Sequence, residues 1–122
     1  MRKKVMAAVL TAAMVASVSA MPQMVAAADD EFKIGLITDV GGVNDGSFNQ
    51  SAWEGLEKAG EELGVEVNYL ESATDADYQP NMETFVDEDY DLIISVGYML
   101  ADATREAAEA NPDTKFAIID DS

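Results

Sequence analysis

The run Asp39-Val40-Gly41-Gly42-Val43-Asn44-Asp45-Gly46-Ser47, followed directly by Phe48-Asn49-Gln50, gathers residue types that could recognise a ligand. Its glycines invite comparison with a dinucleotide fingerprint, but the G-x-G-x-x-G spacing and the Walker lysine are both absent. Asp39 and Asp45 also place negative charge where a phosphate would need donors. What the run offers suits a neutral ligand: Asp39 as an acceptor, Phe48 as an aromatic plate, and Asn49 with a donor and an acceptor on one amide. Such a set fits a flat heterocycle held by stacking and by hydrogen bonds along its edge. Spacing alone leaves a plainer alternative open, in which Phe48 is the first core position of a helix and Asp45 a turn or cap residue. A calcium loop built from Asp39, Asn44 and Asp45 fits poorly, because the ligands do not alternate as an EF-hand requires and no Glu stands at its twelfth position.

Two further stretches belong with this run. Gly97-Tyr98-Met99 follows an apolar segment and can form a second wall, and Asp120-Asp121 ends another, either touching a ligand or closing a strand. The chain has no histidine and no cysteine. Thiolate nucleophiles, thiolate metal sites and disulfides are therefore excluded, and acid–base catalysis would fall to carboxylates alone. The expectation is a binding protein, not an enzyme, with no cofactor and no metal. A receiver-like signalling domain using Asp39 and Asp91, or a calcium-dependent nucleoside hydrolase, would be the competing classes; ligand turnover separates the last from a receptor.

Charge narrows the partners. Of seven Lys and Arg, three (Arg2, Lys3, Lys4) precede an alanine-rich apolar run from Val5 to Met21. With Pro22 and the Ala26-x-Ala28 pattern after it, this segment reads as a secretory signal peptide over residues 1–28, with Val18-Ser19-Ala20 as an earlier possible cleavage site and a retained membrane anchor as the alternative. The remaining 29–122 then carries four basic against twenty-four acidic residues, about −20. A field of that sign repels nucleic acid and anionic lipid. The expected location is the periplasm or the outer face of the plasma membrane, with no lipobox cysteine to tether the chain.

The elements that must position these residues alternate in type. Lys33 to Thr38, Val65 to Glu71, Leu92 to Val96 and Lys115 to Asp120 read as strands. Between them, Phe48, Ala52, Leu56, Ala59 and Leu63 mark one face of a helix, with Ser47 and Gln50 as a capping box and Gly64 as the C-cap. Tyr78, Met82, Phe85 and Val86 mark a second helix capped by Asp75 or Asp77, and Leu100 to Ala110 a third, stopped by Asn111-Pro112. Right-handed crossovers make this a doubly wound parallel α/β sheet; the order 2-1-3-4 is the natural expectation among those that handedness permits, and it puts the first helix on one face and the other two opposite. The first-helix face is expected to be bare over strands three and four, as in a truncated lobe. Ligands bind such sheets beyond the carboxyl ends of the strands, where the loops after strands one and three meet.

The residues Ile34-Gly35-Leu36-Ile37-Thr38-Asp39, Gly42, Asn44-Asp45-Gly46-Ser47-Phe48-Asn49-Gln50, Glu54-Gly55, Ala73-Thr74-Asp75-Ala76-Asp77-Tyr78, Tyr90 to Gly97 and Lys115 to Asp120 occur in an order that resembles the basic-membrane-protein family of ABC-transporter substrate-binding proteins. The resemblance runs over essentially all of 29–122. It implies the N-terminal lobe of a periplasmic-binding-protein fold, the second lobe being absent, and a purine nucleoside passed to a membrane permease. It also implies a ligand set of Asp39, Asn44, Asp45, Phe48, Asn49, Gly97, Tyr98 and Asp120, with Phe48 stacking on the base, Asp39 and Asn49 at its edge, and Asp120 at the ribose. Another small polar ligand such as a sugar, or a gene fragment without function, is the alternative.

Overall fold

Alternation along the strands decides which helix covers which face. The protein is described by a computed structural model over residues 31–122, so the leader expected over 1–28 lies outside the described residues. Four strands, β1 (Lys33–Ile37), β2 (Glu66–Leu70), β3 (Leu92–Val96) and β4 (Lys115–Ile119), form one parallel sheet of order β2-β1-β3-β4. They are joined by α1 (Phe48–Leu63), α2 (Tyr78–Asp87) and α3 (Ala101–Ala110), with 3-10 turns at Asp75–Asp77 and Tyr98–Leu100 leading into α2 and α3.

Successive side chains on a strand face opposite ways. Ile37 and Ile93 therefore join Tyr78, Met82 and Phe85 of α2 and Ala107 of α3 in one core. Leu36 and Val96 join Leu56 of α1 in the other, flanked by half-buried Ile34, Val67, Ile94 and Trp53. Burying each large aliphatic side chain contributes about 1.5–3 kcal/mol. Gly35 lies against α2, where a Cβ would come within 2.6 Å of the Phe85 ring. The missing side chain is what lets Phe85 close onto the sheet and pack against Tyr90, ring centroids 4.5 Å apart.

Buried polar groups tie α3 to β3. Thr104 Oγ1 donates to the Leu100 carbonyl at 2.6 Å, so the Ser95 hydroxyl, 2.8 Å away, must be the donor in the Ser95–Thr104 pair.

Several local expectations are corrected. Ser47 sits at the N-cap of α1 but its side chain makes no cap bond; Asp45, a charged acceptor two residues upstream, does that work. Neither Asp75 nor Asp77 caps α2. Thr74 accepts from Ala76 N at the preceding 3-10 turn, while the Asp77 carboxylate turns back to Ala73 N and Thr74 N. Gly64 does take the left-handed C-cap conformation, φ 75°. The α1 face is bare over β4, where Ala117 and Ile119 are exposed, but not over β3, where Val96 is buried against α1. Asp91 lies at the entry of β3 and holds the start of β1 through Lys33 N at 2.8 Å. In a parallel sheet that is the edge opposite Asp39, which removes the basis for a receiver-like acidic pocket.

Candidate functional site

The exits of the parallel strands bring the three singled-out stretches to one edge of the sheet. Residues 39–47 leave β1, Gly97 and Tyr98 leave β3, and Asp120 follows β4. A main-chain bond from Gly97 N to the Ile119 carbonyl, 2.8 Å, joins the last two exits.

Asp39 is the centre of the site. Its Oδ1 accepts from Gly41 N at 2.9 Å and from Asn49 Nδ2 at 2.7 Å. A carboxylate only accepts, so the Asn49 amide must turn its donor inward. Among the described residues no donor is bonded to Asp39 Oδ2, which faces Gly97; a Cβ on Gly97 would lie 3.1 Å from it. Gly97 also has φ 107° and ψ 139°, backbone that favours glycine. The second wall thus approaches the carboxylate as bare backbone.

Asn49 is only 1 % exposed, and with its donor committed to Asp39 its Oδ1 is left buried without a partner among the described residues. Phe48, the residue before it, is 58 % exposed, which rules out the plainer alternative that it is a core position. Leu63 at the other end of the same expected helix face is also exposed. Both lie in the end turns of α1.

Asp45 is spent on the start of α1. Its Oδ1 accepts from Ser47 N at 2.8 Å and Gln50 N at 3.0 Å, its Oδ2 from Asn49 N at 3.2 Å. Desolvation pushes this carboxyl upward, but the N–H donors of Ser47, Gln50 and Asn49 outweigh it and hold it below the ordinary aspartate value of 3.8. This is the cap reading left open by the spacing. Asn44 is exposed and lines a cleft of about 510 Å³ with Val40, Gly41, Gly42, Glu71 and Ser72. Tyr98 stands out at 60 % exposure, and Asp120, exposed with φ 67°, turns the chain at the exit of β4.

Two residues at this edge were not singled out from sequence. Tyr78, read only as a helix core position, has a buried hydroxyl without a partner; burial, then the charges of Asp39 and Asp75, raise its pKa. Glu71, read only as the end of a strand, reaches the glycine loop through Val43 N at 2.9 Å. No local pattern marks either. Among the described residues no group of three carboxylates converges as a metal site would require, and no helix is long and apolar enough to cross a membrane.

Comparison with known proteins is consistent with this geometry. A family model described as Bmp, ABC transporter substrate-binding protein PnrA-like, matches residues 32–121. The CD4+ T-cell-stimulating antigen of Listeria monocytogenes is 50 % identical over 97 residues, 75 % of this chain and 27 % of that protein. The ABC transporter nucleoside-binding protein BmpA of Lactococcus lactis is 42 % identical over 94 residues, 74 % and 27 %. Among solved structures, an ABC transporter solute-binding protein of Aeropyrum pernix superposes with a TM-score of 0.65 at 32 % identity, covering 71 % of this chain and 24 % of that one. The chain spans about a quarter of the length of these curated relatives.

Proposed function

This chain belongs to the Bmp family of PnrA-like ABC transporter substrate-binding proteins, and we propose that it acts outside the cytoplasm as a receptor that binds a purine nucleoside and delivers it to an ABC permease. The observation that carries the ligand class is the Asp39 carboxylate: Oδ1 is fixed by two donors, and Oδ2 is left without a partner beside the bare backbone of Gly97. A fixed acceptor of this kind suits an N–H on the edge of a heterocycle. Phe48, exposed and next in sequence to the asparagine that holds Asp39, supplies the stacking face. Asn49 serves by orienting Asp39 and by keeping one acceptor, Oδ1, for a ligand donor or a water.

The loops around this position carry Asp39, Asp45 and Glu71 and no basic side chain, which favours a nucleoside over its phosphate. Tyr98 and Asp120, at the exits of the neighbouring strands, extend the same edge toward the sugar. The role is binding and release without turnover. The Lactococcus relative is itself named a nucleoside-binding protein, which supports the same class.

The test is a titration of the full chain with nucleosides, free bases, nucleotides, sugars and amino acids, followed by thermal shift and Trp53 emission. Trp53 sits in α1 against Tyr69, centroids 4.8 Å apart, and is the only tryptophan. A nucleoside at a hundred times its Kd should add about 2.7 kcal/mol to stability, and its phosphate should add much less. A response confined to sugars or amino acids would replace the ligand class, and turnover of the ligand would replace the receptor.

A further inference from the structure

The glycine-rich loop is held at three points. Gly41 N bonds Asp39 at its start and the Asp45 carboxylate caps α1 at its end, both within a few residues. The middle is different: Val43, itself buried, donates its N–H to Glu71 Oε2 at 2.9 Å, 28 residues away. Glu71 leaves β2, and its own main chain is secured from α2, where Asn81 Nδ2 donates to the Glu71 carbonyl at 3.2 Å and to Ser72 Oγ at 3.2 Å. Gly42 makes room for the carboxylate. With φ 74° and no side chain, it admits Glu71 to a place where a Cβ would come within 2.8 Å of Oε2. The residues around this bond, Val40, Gly41 and Asn44, are exposed and, among the described residues, have no comparable hydrogen bond to another element.

We infer that Glu71 is a positioning residue for the ligand loop: it latches the loop to the exit of β2 so that Asp39 and Gly41 keep their places when a ligand is bound. The inference rests on the nucleoside-receptor reading. Glu71 acts through the loop, as a hydrogen-bond acceptor in a set position and not as a charge. The bond needs an acceptor at the end of a three-carbon reach, which glutamine also offers.

The experiment compares the full chain with Glu71→Ala and Glu71→Gln in two readouts, hydrogen exchange of the Val43 amide without ligand and nucleoside affinity by Trp53 emission. Loss of the acceptor should speed Val43 exchange and weaken affinity by about tenfold each in Glu71→Ala, with both restored to within about threefold in Glu71→Gln. Unchanged Val43 exchange in Glu71→Ala would overturn the latch. Faster exchange with unchanged affinity would overturn the positioning role, and a Glu71→Gln variant as impaired as Glu71→Ala would show charge to be the agent. If the unaltered chain binds no nucleoside while Val43 responds to Glu71→Ala, the receptor reading falls and the latch stands.

Discussion

Replacing Gly97 by alanine should damage stability and binding together, and a second glycine separates the two causes. Gly97 lies at φ 107°, ψ 139°, near a region essentially reserved for glycine, where a side chain costs about 1–3 kcal/mol. Its N–H is committed to the Ile119 carbonyl and its carbonyl to Leu100 N, so the backbone cannot turn away to relieve the strain. The new Cβ would also press on Asp39 Oδ2 from 3.1 Å. Gly64 is the control: φ is 75° and ψ 17°, and nothing lies within 4 Å of its would-be Cβ. There alanine costs about 1–2 kcal/mol in the left-handed conformation, offset by about 0.4–1 kcal/mol through the stiffer unfolded chain. The same unfolded-chain offset applies at Gly97, so with the contact on Asp39 Oδ2 added Gly97→Ala should lose about 2 kcal/mol and Gly64→Ala about 1 kcal/mol or less. For a domain of this size each kcal/mol lowers Tm by roughly 4–8 °C. In ligand titrations Gly64→Ala should match the unaltered chain, whereas Gly97→Ala should bind about tenfold more weakly, the equivalent of about 1.4 kcal/mol. Equal destabilisation by the two substitutions would refute the strain argument, and full affinity in Gly97→Ala would refute the assignment of Asp39 Oδ2 to the ligand.

The other expectations follow the same geometry. Phe48→Ala should leave unfolding stability within about 0.5 kcal/mol of the original because the ring is exposed, yet cost about 1–3 kcal/mol of nucleoside binding through lost stacking; an unchanged affinity would remove Phe48 from the site. Gly35→Ala should destabilise by about 1–3 kcal/mol by driving a methyl into the Phe85 ring, and Gly35→Ala/Phe85→Leu should recover part of it in urea unfolding. Asp45 is depressed in the folded state, so its contribution is present above the ordinary value of 3.8 and lost as pH falls through the lower folded value. Asp45→Asn should accordingly show a shallower loss of stability below that point than the unaltered chain, and identical acid limbs would discount the cap.

Much of the architecture is legible in the residues. Ile34 to Ile37, Leu92 to Val96 and Lys115 to Ile119 are short apolar runs bounded by polar or glycine residues, and the helices between them are long enough for parallel crossovers. Parallel pairing puts all the strand exits at one edge, which gathers Asp39, Gly97, Tyr98 and Asp120 there, whereas handedness permits several strand orders and the fold selects β2-β1-β3-β4. Strand and helix periodicity are local properties, repeated every two or 3.6 residues, and so survive in one dimension.

The choice of hydrogen-bond partner does not survive there. Ser47 and Asp45 are both able to cap α1, and only the path of the loop decides that the carboxylate of Asp45 reaches three N–H groups while the Ser47 hydroxyl reaches none. Asn49 could have offered its donor to a ligand, but the fold places it within 2.7 Å of Asp39 and buries it. Phe48 fits the helix period as a core residue, yet at the first turn of α1 the fold leaves its ring exposed. Glu71 is one acidic residue among twenty-four until the parallel pairing of β1 and β2 brings their exits side by side. Hydrogen bonds act over about 3 Å, and which groups come that close across 10 or 28 residues is decided by the packed tertiary structure alone.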